Sequence, residues 1–172
     1  MEGVIILFRE ADLEDAGDLA QLMKKVESES NYMLYGAGER NPTPESMKKM
    51  IEELTGQRNS AVLVAEIDNH LAGYLYAIGG TAIKNRHSAY IVIGILASFQ
   101  RQGIGTGLFE KLECWALKQH IHRLELTVIT ENIAGVKLYE KAGFEIEGVK
   151  RNSLYMYERY YDEYFMSKLL EA

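Results

Sequence analysis

The stretch SFQRQGIGTGLFEKLECWALKQ, Ser98 to Gln119, sets Gly103, Gly105 and Gly107 at alternate positions where a helical apolar repeat begins. Glycine is a poor helix former, so its use at a helix start needs a reason. A tight turn is one. Close approach of an anion to bare backbone N–H groups is another, because the first amides of a helix lack internal partners and carry the positive end of its dipole. Two phosphate-loop signatures fail here. A P-loop needs a lysine followed by a hydroxyl residue after its last glycine, and a dinucleotide fingerprint needs a small residue where Leu108 stands. What remains is Gln100-Arg101-Gln102-Gly103-Ile104-Gly105, of the form Gln/Arg-x-x-Gly-x-Gly/Ala.

Positioning such a loop takes a buried strand before it and a helix after it. Ser88–Leu96 is a nearly unbroken apolar run, as expected of a strand buried on both faces. Ile104, Leu108, Leu112, Trp115 and Ala116 form a helical stripe through Gln119, and Arg123–Ile129 is the next strand. The helix therefore crosses between two parallel strands. Upstream, Val4–Phe8 reads as a strand, and Asp12 caps a helix with Ala16, Leu19, Ala20, Met23 and Val26 on one face. Asn31–Asn41 is a loop rich in Gly and Tyr. Thr43-Pro44 opens a helix carrying Met47, Met50, Ile51 and Leu54, and Gly56 ends it. Ala61–Ile67 and Leu71–Ile78 pair antiparallel about an Asp68-Asn69 turn. Ile133–Lys141 is a helix closed by Gly143. Phe144–Arg151 and Asp162–Leu169 are the last strands, joined by a tyrosine-rich stretch whose pairing the pattern leaves open. Residues 1–172 then form a single domain of α/β (α+β) class, a mostly antiparallel mixed sheet of about seven strands with about four helices.

A chain of 172 residues is long enough for one domain with a real core. Its 47% apolar and 26% charged residues are those of an ordinary globular protein. The net charge of −6, with no basic run, argues against nucleic acid as a partner, since phosphate neutralisation needs clustered Lys and Arg. Cys114 is the only cysteine, so no internal disulfide forms, and no Cys/His cluster suggests a metal. The opening MEGVIILFREADLED has no basic start and no cleavage-type stretch, and no segment is long enough to span a membrane. A cytoplasmic location is expected.

A second signal lies about 30 residues downstream of the glycines: NIAGVKLYEKAGF, Asn132 to Phe144, after the strand Arg123–Ile129. In this order and at this spacing, the two motifs resemble the GNAT superfamily of acetyl-CoA-dependent N-acetyltransferases, and the resemblance runs from the first strand to the last. The C-terminal GFEIEGVKR and YYDEYFMSKLL are most similar to the branch containing ribosomal-protein N-terminal and polyamine acetyltransferases. Gly135 stands where alanine is common, at some expected cost in helix stability.

The resemblance implies a sheet whose central parallel strands, Tyr90–Leu96 and Arg123–Ile129, splay apart to admit the pantetheine arm of acetyl-CoA. Backbone groups around Ile95 and Leu96 would bind that arm, with an N–H there polarising the thioester carbonyl. Amides from Gln100, Arg101, Gln102, Gly103, Ile104, Gly105, Thr106 and Gly107 would cradle the pyrophosphate. Asn132 would hydrogen-bond the arm, and Tyr139 would protonate the departing thiolate. The reaction is direct attack of a neutral amine in a ternary complex, with no metal and with a homodimer as the implied assembly. An acyl-CoA sensor without catalysis, on the same fold, is the alternative. An alkylammonium has a pKa near ~10.4, so a proton must leave first. Many relatives carry a glutamate at the start of the strand before the glycine loop, whereas Ser88–Ile93 has no carboxylate. Glu29 and Glu39, which flank the loop expected to cover the acceptor, are the first candidates for the base, followed by His87 or a water chain. The acidic balance favours cationic acceptors.

Overall fold

The computed structural model describes residues 3–171. Seven strands form one sheet in the order β1-β2-β3-β4-β5-β7-β6. In chain order they are β1 (Ile6–Glu10), β2 (Ala61–Ile67), β3 (His70–Gly79), β4 (Ser88–Ile95), β5 (Arg123–Ile129), β6 (Glu145–Met156) and β7 (Arg159–Leu169). The helices are α1 (Ala16–Glu29), α2 (Pro44–Thr55), α3 (Ile104–Lys118) and α4 (Ile133–Lys141). All strand pairs are antiparallel except β4 with β5.

Side chains alternate across β2, so its two faces feed two cores. Leu63 and Ala65 join Leu75, Leu108, Leu112 and Leu124 beneath α3. Val62 and Val64 join Leu19, Met23, Val26, Ile51 and Tyr74 beneath α1 and α2. The local signals for these helices hold. Asp12 accepts from the Glu14 amide and caps a 3-10 turn, Leu13–Asp15, that runs into α1. Thr43 caps α2 through the Ser46 amide, with Pro44 in the first turn.

Four features differ from expectation beyond shifts of a residue or so at element ends. β1 begins later than Val4, leaving Val4 and Ile5 exposed. Gly56 ends α2 with φ −70, so it stays right-handed and its glycine freedom is unused. β4 is not buried on both faces: Tyr90 is exposed and Val92 and Ile93 are half-buried, at and beyond the end of its pairing with β5. The tyrosine-rich stretch is not a linker. β6 and β7 run together to a two-residue turn at Tyr157 and Glu158, both with positive φ (50 and 59), as a type I′ hairpin requires.

Candidate active site

β4 and β5 pair at only three positions, Ser88 with Arg123, Ala89 with Leu124 and Tyr90 with Glu125. Beyond them β4 continues to Ile95 and β5 to Ile129 without hydrogen-bonding each other, so the sheet opens into a V. At its narrow end the Tyr90 and Thr127 hydroxyls meet at 2.7 Å, across the gap. A groove of about 500 Å³ occupies the V. It is lined by β4 (Ile93, Ile95), β5 (Thr127, Ile129), the loop into α3 (Gln100, Arg101, Gly103) and α4 (Asn132, Leu138, Tyr139).

Backbone direction alternates along a strand, and the Leu96 amide donates to the Ala72 carbonyl of the β3 side (3.0 Å). Leu96 is therefore buried and engaged, and its N–H cannot meet a ligand in the V. The same alternation turns the peptide groups of Ile95 and Ile93 towards the gap. Ile93 was not singled out from the sequence; its only signal there is being two residues before Ile95.

The amide cradle is shorter than the sequence suggested. The Gln100 amide donates to the Ala97 carbonyl (3.3 Å) and the Gly107 amide to the Gly103 carbonyl (3.0 Å). Between them, the amides from Arg101 to Thr106 have no acceptor among the described residues. Gln102 lies outside the groove, its side chain donating to the Ser98 carbonyl. Thr43 caps α2 and Asn132 caps α4, but no side chain caps α3. Its first amides stay open to the groove, where the helix dipole favours an anion.

The three glycines have three different reasons. Gly103 has φ +84, which favours glycine, and nothing stands within 4 Å of where its Cβ would be. A Cβ on Gly105 would lie 2.8 Å from Leu138, so this glycine lets α3 approach α4. A Cβ on Gly107 would lie 2.1 Å from Phe8, so this one lets α3 approach β1.

Asn132 Oδ1 accepts from the Gly135 amide (3.0 Å), which leaves its amide nitrogen for the groove. Gly135 permits this close cap: a Cβ there would lie 2.5 Å from Asn132 Nδ2. Tyr139 is half-buried and edge-on to Phe109, with ring centres 5.7 Å apart. Burial pushes its hydroxyl up to about 12, helped by the neighbouring Tyr90. The phenol is thus fixed in its proton-bearing form throughout the neutral range.

Glu29 and Glu39 are not brought into the groove. Glu29 accepts from the Ala97 amide (2.9 Å) and Glu39 from the Gly36 amide (2.8 Å), both on exposed surface. They stand near the groove's cover, but their carboxylates point to backbone amides. His87 lies beyond the closed end of the V, beside a second cavity of about 320 Å³. The cover itself is the segment between α1 and α2, from which Ser30, Tyr32 and Met33 line the groove. Arg40 anchors it by pairing with the buried Glu27 (2.6 Å) and stacking over Tyr35 (4.3 Å). From the other side the Tyr157 hydroxyl at the hairpin tip donates to Asn31 (3.1 Å), bridging hairpin and cover.

Three charged residues line the groove: Arg101, Lys141 and Glu163. Glu163 is a residue that sequence reasoning missed. No helix among the described residues is long and apolar enough to cross a membrane.

Residues 25–144 match the acetyltransferase (GNAT) family. An L-amino acid N-acetyltransferase of Escherichia coli (strain K12) is 29% identical over 119 residues, which is 69% of this chain and 74% of that protein. The crystal structure of an acetyltransferase of the GNAT family from Streptococcus pneumoniae superposes with a TM-score of 0.92 at 31% identity, covering 97% of this chain and 100% of that one. A phosphinothricin acetyltransferase from Sinorhizobium meliloti, in complex with acetyl-CoA, shares the fold with a TM-score of 0.85 at 18% identity, covering 96% of this chain and 88% of that one.

Proposed function

This chain belongs to the acetyltransferase (GNAT) family and is an acyltransferase, and from that premise we propose that it moves an acetyl group from acetyl-CoA to a primary amine by direct transfer in a ternary complex. The observation that carries the reading is the V between β4 and β5, three pairs long at its base and backed at its open end by the uncapped start of α3. A parallel sheet gains nothing by breaking its own ladder, unless a ligand backbone takes the vacated hydrogen bonds.

In this reading the amides from Arg101 to Thr106 hold the pyrophosphate. The inward peptide groups of Ile93 and Ile95 pair with the pantetheine arm, and Asn132 Nδ2 bonds it from the opposite wall. Acetyl-CoA supplies the activated acyl carbon. The Ile93 amide, the deeper of the two and nearer the narrow end, stands where it can polarise the acyl oxygen. Tyr139 faces the sulfur. Burial holds the Tyr139 phenol in its protonated form, so its hydrogen is available as the thiolate leaves. Tyr139 therefore acts by donating a hydrogen bond to the sulfur as charge grows there, an interaction stronger in the transition state than before it. These helps come from an amide and a phenol, so the route calls for no metal. The amine enters under the cover between α1 and α2 and loses its proton before attack.

The net charge of −6 supports a cationic acceptor and opposes a nucleic acid or anionic membrane partner. A cytoplasmic setting is supported by a cysteine usage that needs no oxidation, and a homodimer by the family resemblance. The test is thiol release from acetyl-CoA with a panel of alkylamines, amino acids and basic peptides, alongside calorimetry of CoA binding. Amine-dependent thiol release is expected. CoA binding with no release for any amine would replace this reading by the non-catalytic sensor.

A further inference from the structure

Glu163 is the only carboxylate among the described residues lining the groove, and it is half-buried. Four nearby carboxylates are neutralised, Glu27 by Arg40 (2.6 Å), Glu131 by Arg159 (2.9 Å), and Glu125 and Glu147 by Arg123 (2.7 Å each), while Asp162, Glu29 and Glu39 are met by backbone amides outside the groove. Glu163 has no cation within ion-pair distance among the described residues. Among the described residues its one hydrogen-bond donor is the Ser153 hydroxyl, which holds Oε1 and leaves Oε2 without a partner there. The pairing of β6 with β7 breaks register between Lys150 and Leu154, and that irregularity contains Ser153. The strand irregularity thus aims one side chain at Glu163, while the adjoining hairpin tip reaches over to the acceptor cover through Tyr157 and Asn31.

A partly desolvated, uncompensated anion in a binding groove is a receptor for a cation. Which cation follows from position. Glu163 lies opposite Ile129 in the β5–β7 register, two residues along β5 from Thr127. At about 3.3 Å per residue that is roughly 7 Å, measured along the strand, from the narrow end where Tyr90 bonds Thr127. The reacting nitrogen must meet the acyl carbon at that narrow end, and a base that takes its proton directly must stand within about 3 Å of it. Glu163 therefore suits a charge that does not react.

We propose that Glu163, oriented by Ser153, is the specificity residue that receives a second cationic group of the acceptor, so that the substrate is an amine carrying another ammonium or guanidinium a few bonds away. This rests on the acetyl-transfer reading above. The probes are butane-1,4-diamine and butylamine, which share a reacting amine and differ in the second charge. The wild-type protein is expected to favour the diamine in kcat/KM. Glu163→Gln is expected to raise KM for the diamine by about tenfold or more, the range for a lost charge-assisted hydrogen bond, and to abolish the preference over butylamine. Glu163→Asp keeps the charge at a shorter reach and should retain part of the preference, which distinguishes charge recognition from a folding defect. Ser153→Ala should fall between wild type and Glu163→Gln. Calorimetric binding of the diamine to the CoA-loaded protein reads the same contact without turnover and should weaken in parallel. A Glu163→Gln variant that still prefers or binds the diamine as wild type does overturns the proposal while leaving acetyl transfer intact. Wild-type protein that neither prefers nor binds the diamine overturns it equally. Thiol release absent with every amine, but with Glu163-dependent diamine binding, would sink the transfer reading alone and uphold the cation site.

Discussion

Replacing Gly103 by Asp and, separately, by Asn tests whether the open start of α3 binds an anion. Gly103 has φ +84, and Asn and Asp are the side chains that best tolerate that region, so the backbone strain should cost on the order of 1 kcal/mol in both variants. Nothing lies within 4 Å of the new Cβ, so neither variant creates a clash. The two side chains are nearly isosteric and differ in charge alone. A carboxylate roughly 5 Å from a bound phosphate charge, at an effective dielectric constant of about 20, opposes it by about 3 kcal/mol. At ~1.4 kcal/mol per decade this is a loss of more than a hundredfold in affinity for Asp relative to Asn. Isothermal titration with CoA at low ionic strength gives the ratio, and thermal melts confirm that both variants fold. The gap should narrow as salt is raised. Equal CoA affinity in folded Asp and Asn variants would show that no phosphate lies near the α3 amides.

Tyr139→Phe keeps the ring against Phe109 and removes only the hydroxyl, so turnover should fall about a hundredfold with melting temperature and CoA affinity little changed. Burial raises that hydroxyl to about 12, so any descending limb of turnover near pH 10 should persist in Tyr139→Phe, and a limb that disappears in that variant would contradict its burial. Gly107→Ala drives a methyl into Phe8 and should destabilise the fold by about 1–3 kcal/mol, seen in denaturant melts, whereas a neutral result would mean that α3 and β1 part easily. Glu29→Gln and Glu39→Gln should leave the acid limb of the pH–rate profile in place, since both carboxylates bond backbone amides outside the groove; loss of that limb in either would restore it as the base. Glu147 is held down to about 2 by Arg123, with help from Ser167, so its contribution to stability is present above its ordinary value of 4.5 and is lost as pH falls towards 2. The stability gap between wild type and Glu147→Gln should therefore close over that window, and a gap that persists below pH 2 would argue for packing.

The central strands were legible because burial dictates their composition. Ala61–Ile67 and Arg123–Ile129 have the same ends in sequence and structure, and the Asp68-Asn69 turn takes the positive φ values (48 and 62) that a tight hairpin demands. The C-terminal hairpin was not legible for the opposite reason. Most of β6 and the start of β7 are exposed, with Tyr155, Tyr157 and Tyr160 all more than 60% accessible, so no alternation of polar and apolar residues marks the strands. Glu163 was hidden by the same circumstance. Within YYDEYF it reads as one more surface charge, and it reaches the groove only because β7 inserts between β5 and β6 in the sheet. Glu29 and Glu39 show the converse. Nearness to the cover could be read from the chain, but the direction of an exposed carboxylate is decided by the closest unsatisfied amide, which no spacing rule reveals.

The glycine run shows why a motif and its mechanism are separable. Gly103, Gly105 and Gly107 look equivalent as a string, yet only Gly103 needs a backbone conformation closed to most residues, and only it leaves open space where a side chain would be. Gly105 and Gly107 serve the packing of α3 against Leu138 and Phe8, which holds the helix start in place at the mouth of the V. Substitution should therefore split the motif by readout. Changes at Gly103 should act on CoA affinity at nearly constant stability, and changes at Gly107 on stability first, with affinity following as the helix start moves. Gly105 lies between these cases, because its neighbour Leu138 is a flexible side chain that also lines the groove, so Gly105→Ala should perturb binding and stability together.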